Sequence, residues 1–392
     1  MNRNRSERKT SALTTVIVCA LVFCCFSFFW LFFFQSDVLA VAQHILSGGQ
    51  TSYNRLIGSL LITLILLIIQ NGVYGIVKLS RRTHALTYFP SFLILAFLSA
   101  LDTETSHGLS LGKWIWISLL LLLVWIISVW LAHKIMQYDN DHNIPTGIFS
   151  RRRWLNMLQM IVMMLMVACV GNTNAVYHFR SHAEVALLHD DIDEALLVGR
   201  NSHETDENLT MLRIYALSKK DVIGDSLFTY PIKGTSADML PLHGSRTRLL
   251  IYPEDDMWAH FGNLVPAKAL TVSQYLDSLA VDTASTRAYI DYRLAGLLID
   301  RKVDSFAVNL QKHYVLFPDS LPRHYREALV LLMHQEKDKG IAPQINYRDS
   351  IMENKWNELQ EIEDSYSSLK ERKLNVDEHF RQTYWYYYLY SK

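Results

Sequence analysis

The residues best equipped for chemistry in this 392-residue chain gather in one short stretch, Gln35 to Gly58, which reads QSDVLAVAQHILSGGQTSYNRLIG. Its centre, Ser47-Gly48-Gly49-Gln50-Thr51, has the small, backbone-exposing composition of a loop that wraps a phosphate, and Asp37, His44, Tyr53, Asn54 and Arg55 surround it. A carboxylate, an imidazole, a phenol, an amide and a guanidinium together suit acid–base work on a polar or phosphorylated group. A nucleotide loop, however, ends in Lys-Ser/Thr at the start of a soluble helix. Here the glycines lead to Tyr53-Asn54-Arg55 and a run of Leu and Ile. The stretch therefore reads as an elbow: a short interfacial helix from Gln35 to Leu46, a turn at Gly48-Gly49, and an anchor at Tyr53-Asn54-Arg55. No residue is assigned a catalytic role. The five named side chains form a candidate polar cluster, which Asp102, Glu104 and His107 of a second loop would join.

Other constellations are weaker. Asp139, Asp141 and His142 lie close together, but no Glu stands at the twelfth position and no second His is suitably spaced, so neither the calcium loop nor the zinc pattern is met. Glu254-Asp255-Asp256, followed by Trp258 and His260, suits a helix N-terminus as readily as acid–base chemistry. His203-Glu204 lacks the second His of a zinc-protease helix. The four cysteines, Cys19, Cys24, Cys25 and Cys169, all lie in apolar runs, which excludes thiolate zinc sites and a cysteine nucleophile from the rest of the chain. No nucleophile elbow, Walker loop or dinucleotide fingerprint occurs. The expectation is no cofactor and no metal.

The elements that would hold these residues are of two kinds. Half the residues are hydrophobic and the formal charge is zero, yet residues 1–174 carry 13 of the 38 basic residues and only 6 of the 38 acidic ones. A membrane-crossing helix needs about 20 apolar residues, with a practical minimum near 17. Five segments meet this: Leu13–Phe34, Leu56–Val77, Ala85–Leu101, Trp114–Leu131 and Trp154–Val170, the third and fifth being the shortest. Basic clusters precede the first (Arg3, Arg5, Arg8, Lys9), separate the second from the third (Lys78, Arg81, Arg82) and precede the fifth (Lys134, Arg151, Arg152, Arg153). All three fall on one side only with five crossings. Positive charge marks the cytoplasmic side, so the N-terminus is expected inside and residues 175–392 outside. Ala40-Val41-Ala42 resembles a signal-cleavage site, but the preceding apolar run exceeds the usual 7–15 residues. That favours an uncleaved anchor, and cleavage would leave the orientation of the rest unchanged.

No Lys, Arg, Asp, Glu or His lies inside the five spans, and no inverted repeat is visible, so a transport pathway is disfavoured. Gln70-Asn71-Gly72, the most polar point, reads as helix-packing chemistry.

Beyond Asn174 the apolar residues recur at intervals of three and four, the mark of amphipathic helices. Ala183, Ala186 and Leu187 precede Asp190-Asp191 and are followed by Ile192, Ala195 and Leu196. Leu212, Tyr215 and Ala216 stand likewise before Lys219-Lys220-Asp221, with Val222, Ile223, Leu227 and Phe228 after it, and a stop at Pro231. Tyr292, Ala295 and Leu298 precede Asp300-Arg301-Lys302, with Val303, Phe306 and Leu310 beyond and Pro318 closing the unit. Helix pairs around polar turns resemble degenerate tetratricopeptide repeats, although the Trp and Gly of the first helix are missing and the third unit is out of period. A further helix is expected over Arg323–Lys337 and a charged one over Tyr347–Lys373, with a long connector at Ile232–Val265 holding one short helix, Asp256–Phe261. The aromatic end, Tyr384-Trp385-Tyr386-Tyr387-Tyr388-Leu389-Tyr390, suits a cap on a helical stack or a membrane contact better than a sugar platform. The fold class is thus all-α: a five-helix transmembrane bundle (1–174) followed by a soluble, α-solenoid type helical domain (175–392).

QSDVLAVAQHILSGGQTSYNRLIG together with FPDSLPRHYREALVL resembles an uncharacterised family of Bacteroidetes-type polytopic inner-membrane proteins with a C-terminal tetratricopeptide-like domain. The resemblance implies the envelope of a diderm bacterium, with the C-terminal domain periplasmic; it implies no reaction. The leading expectation is a non-catalytic, multi-pass inner-membrane protein that presents a helical scaffold to a protein or peptide partner. The alternative is an enzyme acting on a lipid-linked envelope glycan through the outer loops. The partners are then the lipid bilayer and a protein or peptide, while an acidic outer domain gives nucleic acid no electrostatic support.

Overall fold

The computed structural model describes residues 2–80, 83–101, 114–137, 151–282, 284–338, 345 and 347–391. These are helices and their connections, with no strand among the described residues. They form two compact units, Met1–Asn174 and Ala175–Lys392.

In the first unit α1 (Asn2–Phe29) passes through a π-helical turn, Trp30–Phe34, into α2 (Ser36–Ser47). Then come α3 (Arg55–Val77), a 3₁₀ turn at His84–Tyr88 running into α4 (Phe89–Ser99), α5 (Trp114–Gln137) and α6 (Arg151–Val170). Four stretches are long and apolar enough to cross a membrane: Thr14–Phe34, Arg55–Val77, Ile115–Ile135 and Arg153–Val170. The fifth expected span differs. His84–Ser99 is shorter, and its five 3₁₀ and eleven α-helical residues give a length of roughly 26 Å at the usual rises. That is just under a hydrocarbon core of about 30 Å.

The short segment is nevertheless the hub of the unit. Ser91 Oγ donates to the Leu66 carbonyl (2.8 Å) and Gln70 Nε2 to Thr87 Oγ1 (2.9 Å), so α4 runs antiparallel to α3. Ala85 N–H donates to Asn156 Oδ1 (2.7 Å) and Asn172 N–H to the Ser99 carbonyl (2.7 Å), so it runs parallel to α6. Phe23 packs edge-on against Phe92 (5.0 Å) and Trp30 Nε1 donates to Ser99 Oγ (2.7 Å), which makes it parallel to α1. The starts of α1, α6 and the 84–99 segment therefore lie at one end of the unit.

Polarity in this unit is inverted relative to a water-soluble helix. On α3 the buried positions are Ser59, Thr63, Leu66 and Gln70, whereas Leu56, Ile57, Leu60, Leu61, Leu64, Ile65 and Ile68 are exposed. Hydrocarbon is the solvent in which such a helix is stable: polar groups pair inside, and leucines face out at no cost.

The second unit begins with α7 (Ala175–Leu188), α8 (Ile192–Leu197), α9 (Glu207–Lys219) and α10 (Ile223–Ser226). It continues with α11 (Glu254–His260), α12 (Val272–Val281), α13 (Ala288–Ile299), α14 (Val303–His313) and α15 (Arg323–Asp338), and closes with α16 (Ser350–Ser365), α17 (Leu369–Phe380) and α18 (Tyr384–Tyr390). The three expected helix pairs, α7–α8, α9–α10 and α13–α14, share one turn. Asp190, Asp221 and Arg301 all take the left-handed conformation, with φ of 59°, 55° and 58°. The next residue returns its N–H to the first helix each time: Asp191 to Ala186, Val222 to Leu217, Lys302 to Leu297. This is the Schellman closure. The second arms are six and four residues long in the first two pairs and eleven in the third.

One core joins the unit. Ala183, Ala195, Ala216 and Ala295 are buried where helices approach, and Tyr215, Tyr275, Tyr292 and Tyr325 fill its interior. Two features depart from expectation. Helix α12 stands where none was read, and the charged tail helix is two helices, broken at Tyr366–Ser368. The aromatic end is a helix whose Tyr384 and Trp385 are completely buried, so it covers the core rather than presenting a platform.

Candidate functional site

Several elbow residues have a structural occupation. Helix α2 ends on Gly48 (φ 60°) and Gly49 (φ 80°), the left-handed close that glycine permits. The loop N–H groups are consumed internally: Gly48 donates to Ile45, Gly49 to His44 and Gln50 to the Ser47 carbonyl, while Thr51 donates to Ser47 Oγ. A phosphate would find none of these four N–H groups free. Asn54 Oδ1 caps α3, accepting from Leu56 (3.1 Å) and Ile57 (3.0 Å). Arg55 donates from Nε to the Phe32 carbonyl at 2.5 Å and lies 4.7 Å over the Phe32 ring. Tyr53 lies so close to Gly58 that a Cβ there would stand 2.3 Å from its ring. Asp37 is on the first turn of α2 and His44 on its last, which separates them by about 10 Å along the axis. The five residues belong to α2, the elbow and the start of α3; Asp102, Glu104 and His107 lie outside the described residues. Asp139, Asp141 and His142 do so as well.

In the second unit Glu254, Asp255 and Asp256 form the exposed first turn of α11, Trp258 is core, and His260 is hydrogen-bonded to Ser218 (2.7 Å). Among the described residues no three His, Cys, Asp or Glu side chains are grouped as metal ligands.

A concave feature of this unit is a cleft of about 540 Å³ between α15, α16 and the end of α17. Arg323 lines it from the start of α15; Lys355, Glu358, Glu361, Ile362 and Ser365 line it from α16; His379, Phe380 and Thr383 close the opposite wall. The α16 residues recur at three and four, so they occupy one face of that helix. Its other face carries Met352, Trp356 and Leu359 into the core.

A buried carboxylate fixes the cleft's shape. Glu327, 1% exposed, accepts from Arg323 Nε (2.8 Å), His324 Nδ1 (2.9 Å) and the Tyr384 N–H (2.7 Å). Its backbone carbonyl accepts from Trp385 Nε1 (2.7 Å). His324 Nε2 in turn accepts from the Phe228 N–H (3.3 Å), which identifies the imidazole as the neutral Nδ1–H form. Burial pushes the Glu327 carboxyl up, but the hydrogen bond from His324, the charge of Arg323 and the Tyr384 N–H outweigh it and hold the group below the ordinary glutamate range. Arg323 in the cleft and the chain entering α18 are thereby bolted to the same carboxylate.

Sequence reasoning missed this arrangement. Arg323, His324 and Glu327 at i, i+1 and i+4 look like any charged helical turn, and their partners lie 57 and 96 residues away. The only available signal was a His and a Glu placed where a helix must face its core.

Residues 268–391, which include every wall of the cleft, match the model of a family of unknown function, DUF6057. No curated protein and no solved structure matches the chain.

Proposed function

We propose that this chain is a multi-pass inner-membrane protein of a bacterial envelope, non-catalytic, whose C-terminal unit is a helical-repeat scaffold that binds a protein or peptide partner in the periplasm. The observation that carries the binding role is the cleft: a concave, charged site on a prelocked frame, the arrangement that avoids ordering costs on binding. The repeat reading rests on the three identical left-handed turns, and stacked helix pairs favour extended binding surfaces. The membrane reading rests on the inverted polarity of α3 and on the common direction of α1, α4 and α6, which start at the end where α3 closes on Lys78 and where Arg153 lies, with basic clusters in the sequence next to each of these points. The glycan-enzyme alternative draws less support, because Asn54 and Arg55 are engaged in capping and holding helices.

The test is photo-crosslinking of the full chain in cells from Ser365, replaced by a photoreactive residue. The expected result is one recurrent adduct, absent when the reactive residue is moved to exposed Leu197; no recurrent adduct from the cleft would overturn the binding role.

A further inference from the structure

Three of the charges lining the cleft stand without an ion pair. Several charged side chains elsewhere on the unit are paired: Lys219 with Asp190 (2.6 Å), Arg293 with Asp277 (2.8 Å), Arg326 with Asp349 (2.6 Å) and Arg246 with Asp238 (2.8 Å). Lys355, Glu358 and Glu361 make no ion pair with any described residue, although Lys355 and Glu358 have the spacing to pair with each other. Arg323 is tied through Nε to Glu327, which fixes its guanidinium at the cleft's edge. His379 donates from Nδ1 to the Asn375 carbonyl (3.1 Å), leaving Nε2 as its second polar atom. Ile362 and Phe380 supply apolar surface between these groups.

Such a lining rejects ligands of a single sign. An anion drawn to Arg323 and Lys355 meets Glu358 and Glu361, and a cation drawn to the glutamates meets the two basic groups. We propose that the cleft receives an extended peptide segment that carries an acidic and a basic side chain close together. The inference rests on the binding role above and names its partner. Lys355 stands one to two turns from Glu358 and Glu361, roughly 5–9 Å along α16. Side chains two apart on an extended chain are separated by about 7 Å, so one peptide acid reaches Lys355 and Arg323 while the base two residues on reaches Glu358 or Glu361. His379 Nε2 is then available to a peptide N–H, and Ile362 and Phe380 to the aliphatic stems.

The test uses the full chain in nanodiscs and the fluorescence anisotropy of four labelled hexapeptides: alternating Glu-Lys, all-Glu, all-Lys and Gly-Ser. The alternating peptide should bind about tenfold or more tightly than any other. Lys355→Glu and Glu358→Lys should each weaken it about tenfold, and the double exchange should recover part of the loss, since the peptide can then lie in the opposite sense. Equal binding of a single-sign peptide, no binding of the alternating one, or indifference to both substitutions would overturn the proposal. Displacement by millimolar free lysine plus glutamate would show a small zwitterion as the occupant and would overturn it too. A crosslinked adduct at Ser365 that persists in the Lys355→Glu variant would sink this inference while leaving the binding role standing; the absence of any adduct would remove both.

Discussion

Two nearly unexposed carboxylates show how single residues set the behaviour of the second unit. Glu327 joins α15 to the start of α18 through four hydrogen bonds, and His324, one of its donors, accepts from the Phe228 N–H. Removing the charge from such a site leaves Arg323 unmatched and weakens the bonds from His324 and the Tyr384 N–H, so Glu327→Gln should cost about 3 kcal/mol. Urea unfolding followed by tryptophan fluorescence reads the loss directly, since Trp385 donates to Glu327 itself; Glu378→Gln, on an exposed position, is the control. Asp238 predicts the acid response. Burial raises it, but bonds from the Arg246 side chain and from the backbone N–H groups of Arg246 and Thr235 bring it down to about 2 from its ordinary 3.8. A carboxylate depressed in the folded state stabilises it above the unfolded value and loses that contribution as pH falls through the folded one. The window is therefore about pH 4 to 2, and circular dichroism should show a shallower acid transition there for Asp238→Asn than for the native chain.

At the scale of elements, α5 stands apart. Its apolar side chains are exposed around most of its circumference. Trp125 fastens it: the indole N–H donates to the Leu86 carbonyl (2.8 Å) and the ring stacks on Phe89 (6.1 Å). Trp125→Leu should raise hydrogen–deuterium exchange over Trp114–Gln137 several-fold and leave α3 and α4 unchanged, because their mutual bonds at Ser91 and Gln70 do not involve it. Unchanged exchange in α5 would mean that lipid alone holds the helix. The helix pairs teach a related lesson. Asp190-Asp191, Lys219-Lys220-Asp221 and Asp300-Arg301-Lys302 were visible as polar interruptions, and each is a turn. The lengths of the second arms were not visible, since Val222, Ile223, Leu227 and Phe228 keep a helical spacing across what is a four-residue helix followed by a 3₁₀ turn.

For the whole molecule the governing quantity is the direction of the first-unit helices. With α1, α4 and α6 parallel and α3 antiparallel, the starts of α1, α4 and α6 share an end with the close of α3, and the first unit ends at Asn174 on the opposite one. A phosphatase fused after Lys392 should then be active and a fluorescent protein at the same site dark, with the reverse for fusions before Met1. The opposite pattern would remove the periplasmic placement of the second unit and with it the proposed partner's compartment.

The sequence by itself determined the things that depend on solvent and on neighbours along the chain. Runs of about 20 apolar residues specify helices of spanning length, spacings of three and four specify amphipathic ones, and Gly48-Gly49 and Asn54 specify where α2 stops and α3 starts. Only the tertiary structure decided what depends on groups distant in sequence. It gave the short 84–99 segment the centre of its unit through Gln70, Asn156 and Trp30. It also engaged two of the elbow's polar groups, Asn54 as a cap and Arg55 as a clamp on Phe32. And it drew Arg323, Lys355, Glu358 and His379 around one cleft. No local pattern marks that gathering, because a charge on a solvated helix face and a charge on a binding wall look alike until the opposite wall is in place.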